Sequence, residues 1–196
     1  MTDLLTAHAE NQGDKLAVID DRGGGNVRQL TYADLERQSN RLAHVLLDHG
    51  VTRGDKVVWC GQNSTGIVMM VNAARKVGAT AVPLNYRLSD EEAAYVVDHS
   101  DTTTVYVDAE FAPMFGRIAV EIPKVRNVFD FDGPAPGAML AIDALIDAAP
   151  DTPPQVAEAA EVAATMIYTS GTTGKPKGAF RRSAGSPAQS AALLSL

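Results

Sequence analysis

Cysteine is almost missing from this chain: one residue, Cys60, in 196. A disulfide framework within the chain is therefore excluded. Its setting, Val57-Val58-Trp59-Cys60, marks a small buried hydrophobe rather than a reactive thiol. Positive charge is scarce as well. Lys and Arg total 17 against 24 Asp and Glu, a net charge of -7. A chain of this balance lacks the basic face that sequence-independent nucleic-acid binding needs, so no nucleic acid is expected as a partner. It also lacks a polybasic membrane anchor. Long apolar runs are absent. The longest, near 67–71, falls far short of the ~20 residues that span a bilayer, so no transmembrane segment is expected. The N-terminal stretch MTDLLTAHAENQGDK has no basic region leading into an apolar one, which argues against a signal peptide and for a cytoplasmic location. Histidines are few and badly spaced for a metal. His44 and His49 do not share a helical face, and His8 and His99 are isolated.

What is present is an alternation of short apolar strands and amphipathic helices. Residues 18–20 and 29–31 flank Gly23-Gly24-Gly25-Asn26 and read as a hairpin around a turn. A phosphate-loop reading of those glycines is disfavoured, because no long apolar strand precedes them and no helix pattern follows. Thr31-Tyr32-Ala33-Asp34 opens a helix that Gly50 closes. Strands are expected at 56–60, 80–84, 103–108 and 126–131. A helix is expected at 65–77, and another runs from the capping box Ser89-Asp90-Glu91-Glu92 to His99, with a short one near Glu110. The acids of that box sit where the helix dipole favours them and need no catalytic explanation. Short connections between alternating strands and helices predict an α/β domain: a layered, parallel-rich sheet flanked by helices. Residues 1–132 form this expected α/β subdomain. Residues 133–162, rich in Pro and Ala, read as a surface connector with a short helical pattern at 139–148. A strand at 164–168 then opens a further unit spanning 163–196.

That strand runs into Tyr168-Thr-Ser-Gly-Thr-Thr-Gly-Lys-Pro-Lys-Gly178. Gly171, Gly174 and Gly178 allow sharp turns and close backbone approach. Consecutive amides in such a turn make an anion nest, and Thr169, Ser170, Thr172 and Thr173 add neutral donors. Lys175 and Lys177 add charge, with Arg181 and Arg182 beyond. The chemistry implied is a polyphosphate grip. The spacing is not that of a Walker A loop, which would need glycine at Thr169 and a hydroxyl at Pro176. Nor is it a nucleophile elbow, which would need glycine at Tyr168 and Thr172. A mobile surface turn is the alternative that composition alone leaves open.

The eleven residues resemble the signature phosphate loop of the adenylate-forming, AMP-binding superfamily. Leu30-Thr-Tyr-Ala-Asp-Leu35, Gly54-Asp-Lys-Val57 with Asn63-Ser64, and Gly78-Ala-Thr-Ala-Val-Pro-Leu-Asn-Tyr-Arg-Leu88 resemble the N-terminal part of acyl-CoA synthetases, in the same order. Thr172-Thr173 leans toward acyl-CoA synthetases rather than peptide-synthetase domains. The resemblance implies the N-terminal part of an enzyme large domain. It also implies an acid–CoA ligase reaction. A carboxylic acid, with fatty acid as the first expectation, attacks the α-phosphate of ATP to give an acyl-adenylate, and coenzyme A then takes the acyl group. ATP, Mg²⁺ and coenzyme A are the implied cofactors and co-substrates. The implied phosphate contacts are Thr169, Ser170, Gly171, Thr172, Thr173, Gly174, Lys175, Lys177 and Gly178, with Lys175 at a variable place of the motif. Any membrane association would be peripheral, through substrate handling. Two departures stand out: Asn63-Ser64-Thr65-Gly66 replaces an Asn-Ser-Pro-Glu type of turn, and Arg181-Arg182 follows the loop.

Ser186-Pro187 reads as the start of a helix that has no stop signal by Leu196. Relatives of this family continue with an adenine pocket, a ribose-binding acid, most of the acyl pocket and a domain bearing a catalytic lysine. No catalytic set is complete in these 196 residues. The expectation is an N-terminal fragment, inactive alone, completed by a C-terminal half in cis or in trans. A non-enzymatic polyphosphate-binding or partner-binding remnant of such a ligase is the alternative.

Overall fold

The computed structural model describes residues 3–156, 163–169 and 175–182. Helix α1 (Leu4–Gln12) precedes the hairpin of β1 (Leu16–Asp21) and β2 (Val27–Thr31). There follow α2 (Tyr32–Asp48), β3 (Lys56–Cys60), α3 (Thr65–Lys76), β4 (Thr80–Leu84), α4 (Asp90–His99), β5 (Thr102–Asp108), α5 (Ala112–Arg117) and β6 (Asn127–Phe131). Then come β7 (Leu140–Ala141), α6 (Ile142–Ala148), β8 (Ala163–Thr169) and β9 (Lys177–Arg182).

Local chemistry accounts for most of these limits. The Thr31 hydroxyl accepts from the Asp34 N–H while the Asp34 carboxylate accepts from the Thr31 N–H, a reciprocal cap that starts α2. Ser89 and Glu92 make the same exchange at α4. At the hairpin tip, Gly23, Gly24 and Gly25 all take positive φ, and the Gly23 N–H is held by the Asp21 carboxylate. The tip is a turn, as its sequence context implies.

Seven strands form one sheet in the order β7-β6-β5-β3-β4-β8-β9. Every pairing is parallel except the last, where β9 runs back along β8. The mixed α/β class and the parallel-rich sheet expected from the strand–helix alternation are both present. Alternate side chains of the central strands serve two cores. Val57, Trp59 and Tyr106 face α2, α3 and α6, whereas Val58, Cys60, Val105 and Val107 face α4 and α5. Burial on both faces is why β3 reads as one unbroken apolar run instead of an alternating one.

Three elements differ from expectation. Helix α1 carries one buried side chain, Leu5, so it has no apolar stripe to read. Strand β7 joins the sheet edge from within the stretch expected as a surface connector. The short helix expected there is present as α6, with Ile142 and Ile146 buried. Strand β9, Lys-Gly-Ala-Phe-Arg-Arg, has no alternation and forms because β8 offers it a partner. Among the described residues no helix is long and apolar enough to cross a membrane.

Candidate functional site

Because β8 pairs in parallel with β4, its C-terminal end opens at the sheet edge where β3, β4 and β5 also end. In open α/β sheets that edge is where ligands bind. Strand β9 returns with Thr169 opposite Lys177, Tyr168 opposite Gly178 and Ile167 opposite Ala179. The glycine-rich segment therefore joins two registered strand ends. Of the nine residues expected to grip phosphate, Thr169, Lys175, Lys177 and Gly178 are described. Ser170, Gly171, Thr172, Thr173 and Gly174 lie outside the described residues. Thr169, Lys175 and Lys177 are exposed at the mouth of the hairpin.

Close packing favours glycine at 178. A Cβ there would collide with Met166 Cε and lie 3.1 Å from Tyr168 Cζ. The Tyr168 hydroxyl is hydrogen-bonded to Nδ1 of His99 at 2.9 Å. Burial pushes that hydroxyl up to about 12, with smaller contributions from Tyr95 and Asp101, so it stays protonated at neutral pH. On the exit side, the Tyr95 hydroxyl donates to the Pro176 carbonyl at 3.3 Å, and Lys175 Nζ sits 4.8 Å from the centre of the Tyr95 ring.

Tyr95 and His99 are the contributors that the sequence reading passes over. His99, judged isolated, meets Tyr168 instead. The available signal is their spacing: four residues apart, they share one face of α4, and their rings lie 5.1 Å apart.

The described cations divide into those paired with carboxylates and those left without one, Lys15, Arg41, Lys56 and Arg87 among the latter. Arg22, Arg28, Arg75, Lys76, Arg117, Lys124 and Arg126 are within ion-pair distance of carboxylates. Among the described residues, Lys175 and Lys177 have no carboxylate within such a distance. Two cations at the end of a glycine-rich hairpin, in a chain of net charge -7, leave room for an anion. The side chains of Arg181 and Arg182 lie outside what is described.

A second polar group sits at the same sheet edge. Asp20 accepts from the Thr65 N–H at 2.9 Å and from Arg22 Nε at 3.1 Å. Asp108, at the end of β5, accepts from the Gln62 N–H at 3.1 Å, and Arg22 lies 3.9 Å from it. Burial raises the Asp108 carboxyl to about 6, against the opposing pull of the Gln62 N–H and Arg22. The departure at Asn63-Ser64-Thr65-Gly66 also has a local cause. Ser64 caps α3 through the Ile67 N–H, and Gly66 admits the Phe131 ring, which a Cβ would meet at 2.6 Å. The Cys60 thiol, buried beside Asp108, is pushed up to about 12 and is inert as a nucleophile. No group of three or more His, Cys, Asp or Glu among the described residues is placed to hold a metal.

Comparison with known proteins matches residues 5–193 to the family described as AMP-binding enzyme. The 3-hydroxybenzoate–CoA ligase of Aromatoleum sp. (strain CIB) is 35% identical over 169 residues, covering 86% of this chain and 31% of that ligase. A medium/long-chain-fatty-acid–CoA/3-oxocholest-4-en-26-oate–CoA ligase of Mycobacterium marinum is 33% identical, over 79% of this chain and 30% of its own length. Among solved structures, a Mycobacterium tuberculosis fatty acyl CoA synthetase superposes with a TM-score of 0.78 at 26% identity, over 90% of this chain and 33% of that one. The chain thus spans about a third of the length of these proteins.

Proposed function

This chain belongs to the family of AMP-binding enzymes, and from that premise we propose that it is the phosphate-gripping part of an AMP-forming acid–CoA ligase. The observation that carries the reading is the β8–β9 hairpin. It presents Thr169 opposite Lys177 at the ligand-binding edge of a parallel sheet, with Lys175 and Lys177 unpaired by carboxylates among the described residues. In this proposal the 169–178 segment holds the β- and γ-phosphates of ATP. A carboxylate oxygen attacks the α-phosphorus, the bond to the bridging oxygen breaks, and pyrophosphate leaves with the electron pair. Thr169, Lys175 and Lys177 contribute by holding the leaving group in place and balancing its charge. Gly178 contributes by letting β9 lie close to Met166 and Tyr168. Ser170, Gly171, Thr172, Thr173 and Gly174 belong to the same proposed grip. Mg²⁺ would arrive on the nucleotide, neutralising phosphate charge. Coenzyme A would accept the acyl group in the second step, at a site for which the described residues offer no candidate.

Fatty acid remains the first proposed substrate class. The hydroxybenzoate ligase among the relatives favours an aromatic acid as the second. The polyphosphate-binding remnant shares the grip and differs only in lacking turnover, whereas a partner-binding remnant needs no grip.

Two measurements test this. Calorimetry of the chain with ATP and with inorganic tripolyphosphate should show binding that Lys177→Ala weakens about tenfold, roughly the loss of one charge-assisted contact. A hydroxamate trap for acyl-adenylate, run with a fatty acid and with 3-hydroxybenzoate, should be silent for the chain alone. It should respond when the downstream ligase segments of a relative are supplied. Absence of any loop-dependent phosphate binding would remove the grip. Binding without turnover under both conditions would favour the remnant.

A further inference from the structure

The described ends of the 168–178 segment do not stand free of the rest of the fold. Helix α4 touches it at both ends, through two side chains one helical turn apart. At the entry, His99 bonds the Tyr168 hydroxyl at 2.9 Å, with the two rings edge to face at 5.8 Å. At the exit, Tyr95 bonds the Pro176 carbonyl and lies under the Lys175 ammonium. The rings of Tyr95 and His99 are themselves in contact, 5.1 Å between centres. Tyr168 also faces Gly178 across the hairpin, where no side chain could fit without displacing Met166 or crowding Tyr168.

We infer that Tyr95 and His99 are positioning residues for the polyphosphate site: they bracket the two ends of the 168–178 segment, and the Tyr95 ring holds Lys175 aligned at its exit. This rests on reading the segment as a phosphate grip. The physical reason is entropic. A lysine ammonium on a four-carbon stem loses much rotamer freedom when it engages a ligand. A cation held over an aromatic face has already lost part of that freedom, and the ring lacks the negative charge that would neutralise it. A carboxylate in the same place would compete with phosphate for the lysine, whereas an aromatic face competes weakly. The Tyr95 hydroxyl adds a second restraint by fixing the carbonyl between Lys175 and Lys177. The anchor is external to the hairpin because β9 is an edge strand, paired on one side only.

The test is a double-mutant cycle on the whole chain with inorganic tripolyphosphate, read by calorimetry, with thermal melting as the folding control. Tyr95→Leu should weaken binding about tenfold, and Tyr95→Phe, which keeps the ring, by about two- to threefold. Lys175→Met should weaken binding on its own and add little in the Tyr95→Leu background, because the two side chains act as a unit. Independent, additive losses would overturn the coupling, as would a Tyr95→Leu variant that binds like wild type. A ligand-free measurement keeps this separate from the grip itself. The ε-methylene protons of Lys175 should resonate upfield in wild type, from the ring current of Tyr95, and return to the ordinary lysine position in Tyr95→Leu. If wild type binds no tripolyphosphate but shows that shift, the grip fails and the bracket stands as a contact without a phosphate role, which overturns the inference. If the shift is absent, the bracket itself is refuted, whatever the chain binds.

Discussion

Asp108→Asn should make this protein more stable at pH 8 and flatten its stability against pH. Asp108 ends β5 with 6% of its surface exposed, and its Oδ1 has no hydrogen-bond partner. Burial lifts its carboxyl from 3.8 to about 6 even though Arg22 and the Gln62 N–H oppose the shift. A carboxyl raised in this way binds protons more tightly folded than unfolded. Its contribution is therefore most favourable below the unfolded value and is lost as pH rises from about 4 through about 6. A shift of about 2 units corresponds to a penalty of about 3 kcal/mol once the group is ionised in both states. Asparagine removes the charge and keeps an oxygen for the Gln62 N–H. Arg22 retains Asp20 at 3.1 Å. The new amide has no evident acceptor, which returns about 1 kcal/mol. A net gain of about 1–2 kcal/mol at pH 8 is expected, shrinking toward pH 4. The assay is urea unfolding across that range, followed by the fluorescence of Trp59, the one tryptophan of the chain and nearly fully buried. Asp130 and Asp143 are also raised by burial and keep a slope of the same sign, so the difference between the two proteins is the quantity to read. A variant less stable than wild type at pH 8, or one with an unchanged pH slope, would refute the reasoning.

Gly178→Ala should cost about 1–3 kcal/mol, at the low end if Met166 swings away, and should weaken tripolyphosphate binding by disturbing Tyr168. Wild-type melting together with wild-type binding would remove the packing argument for that glycine. Thr31→Ala breaks the reciprocal cap of α2 and should cost about 1 kcal/mol in the same urea assay, with Thr31→Ser close to neutral. Cys60 should resist thiol reagents in the native state and react only at the rate of unfolding, since it is fully buried and its thiol is raised to about 12. Fast native labelling would contradict the packing of β3.

Much of the local structure could be read directly. The limits of β3 and β4 follow from apolar runs bounded by turn residues, and both capping exchanges are visible as Thr31/Asp34 and Ser89/Glu92. The alternation of strands and helices implied a parallel sheet, and the 168–178 segment carried the family resemblance that the comparison then showed. These features depend on residues within a few positions of one another, where sequence is a direct record of conformation. The order β7-β6-β5-β3-β4-β8-β9 is different in kind. Parallel neighbours are joined by long crossovers, so β8 meets β4 across about eighty positions, and no local pattern encodes that pairing. The same long-range step put α4 beside the glycine-rich segment. It turned His99 from an isolated residue into a partner of Tyr168. The residues proposed to hold phosphate were named from the sequence, because amides, hydroxyls and lysines are matters of composition and spacing. Which residues touch the described ends of that segment was decided only by the tertiary structure, because contacts across the sheet are set by strand order and not by proximity along the chain.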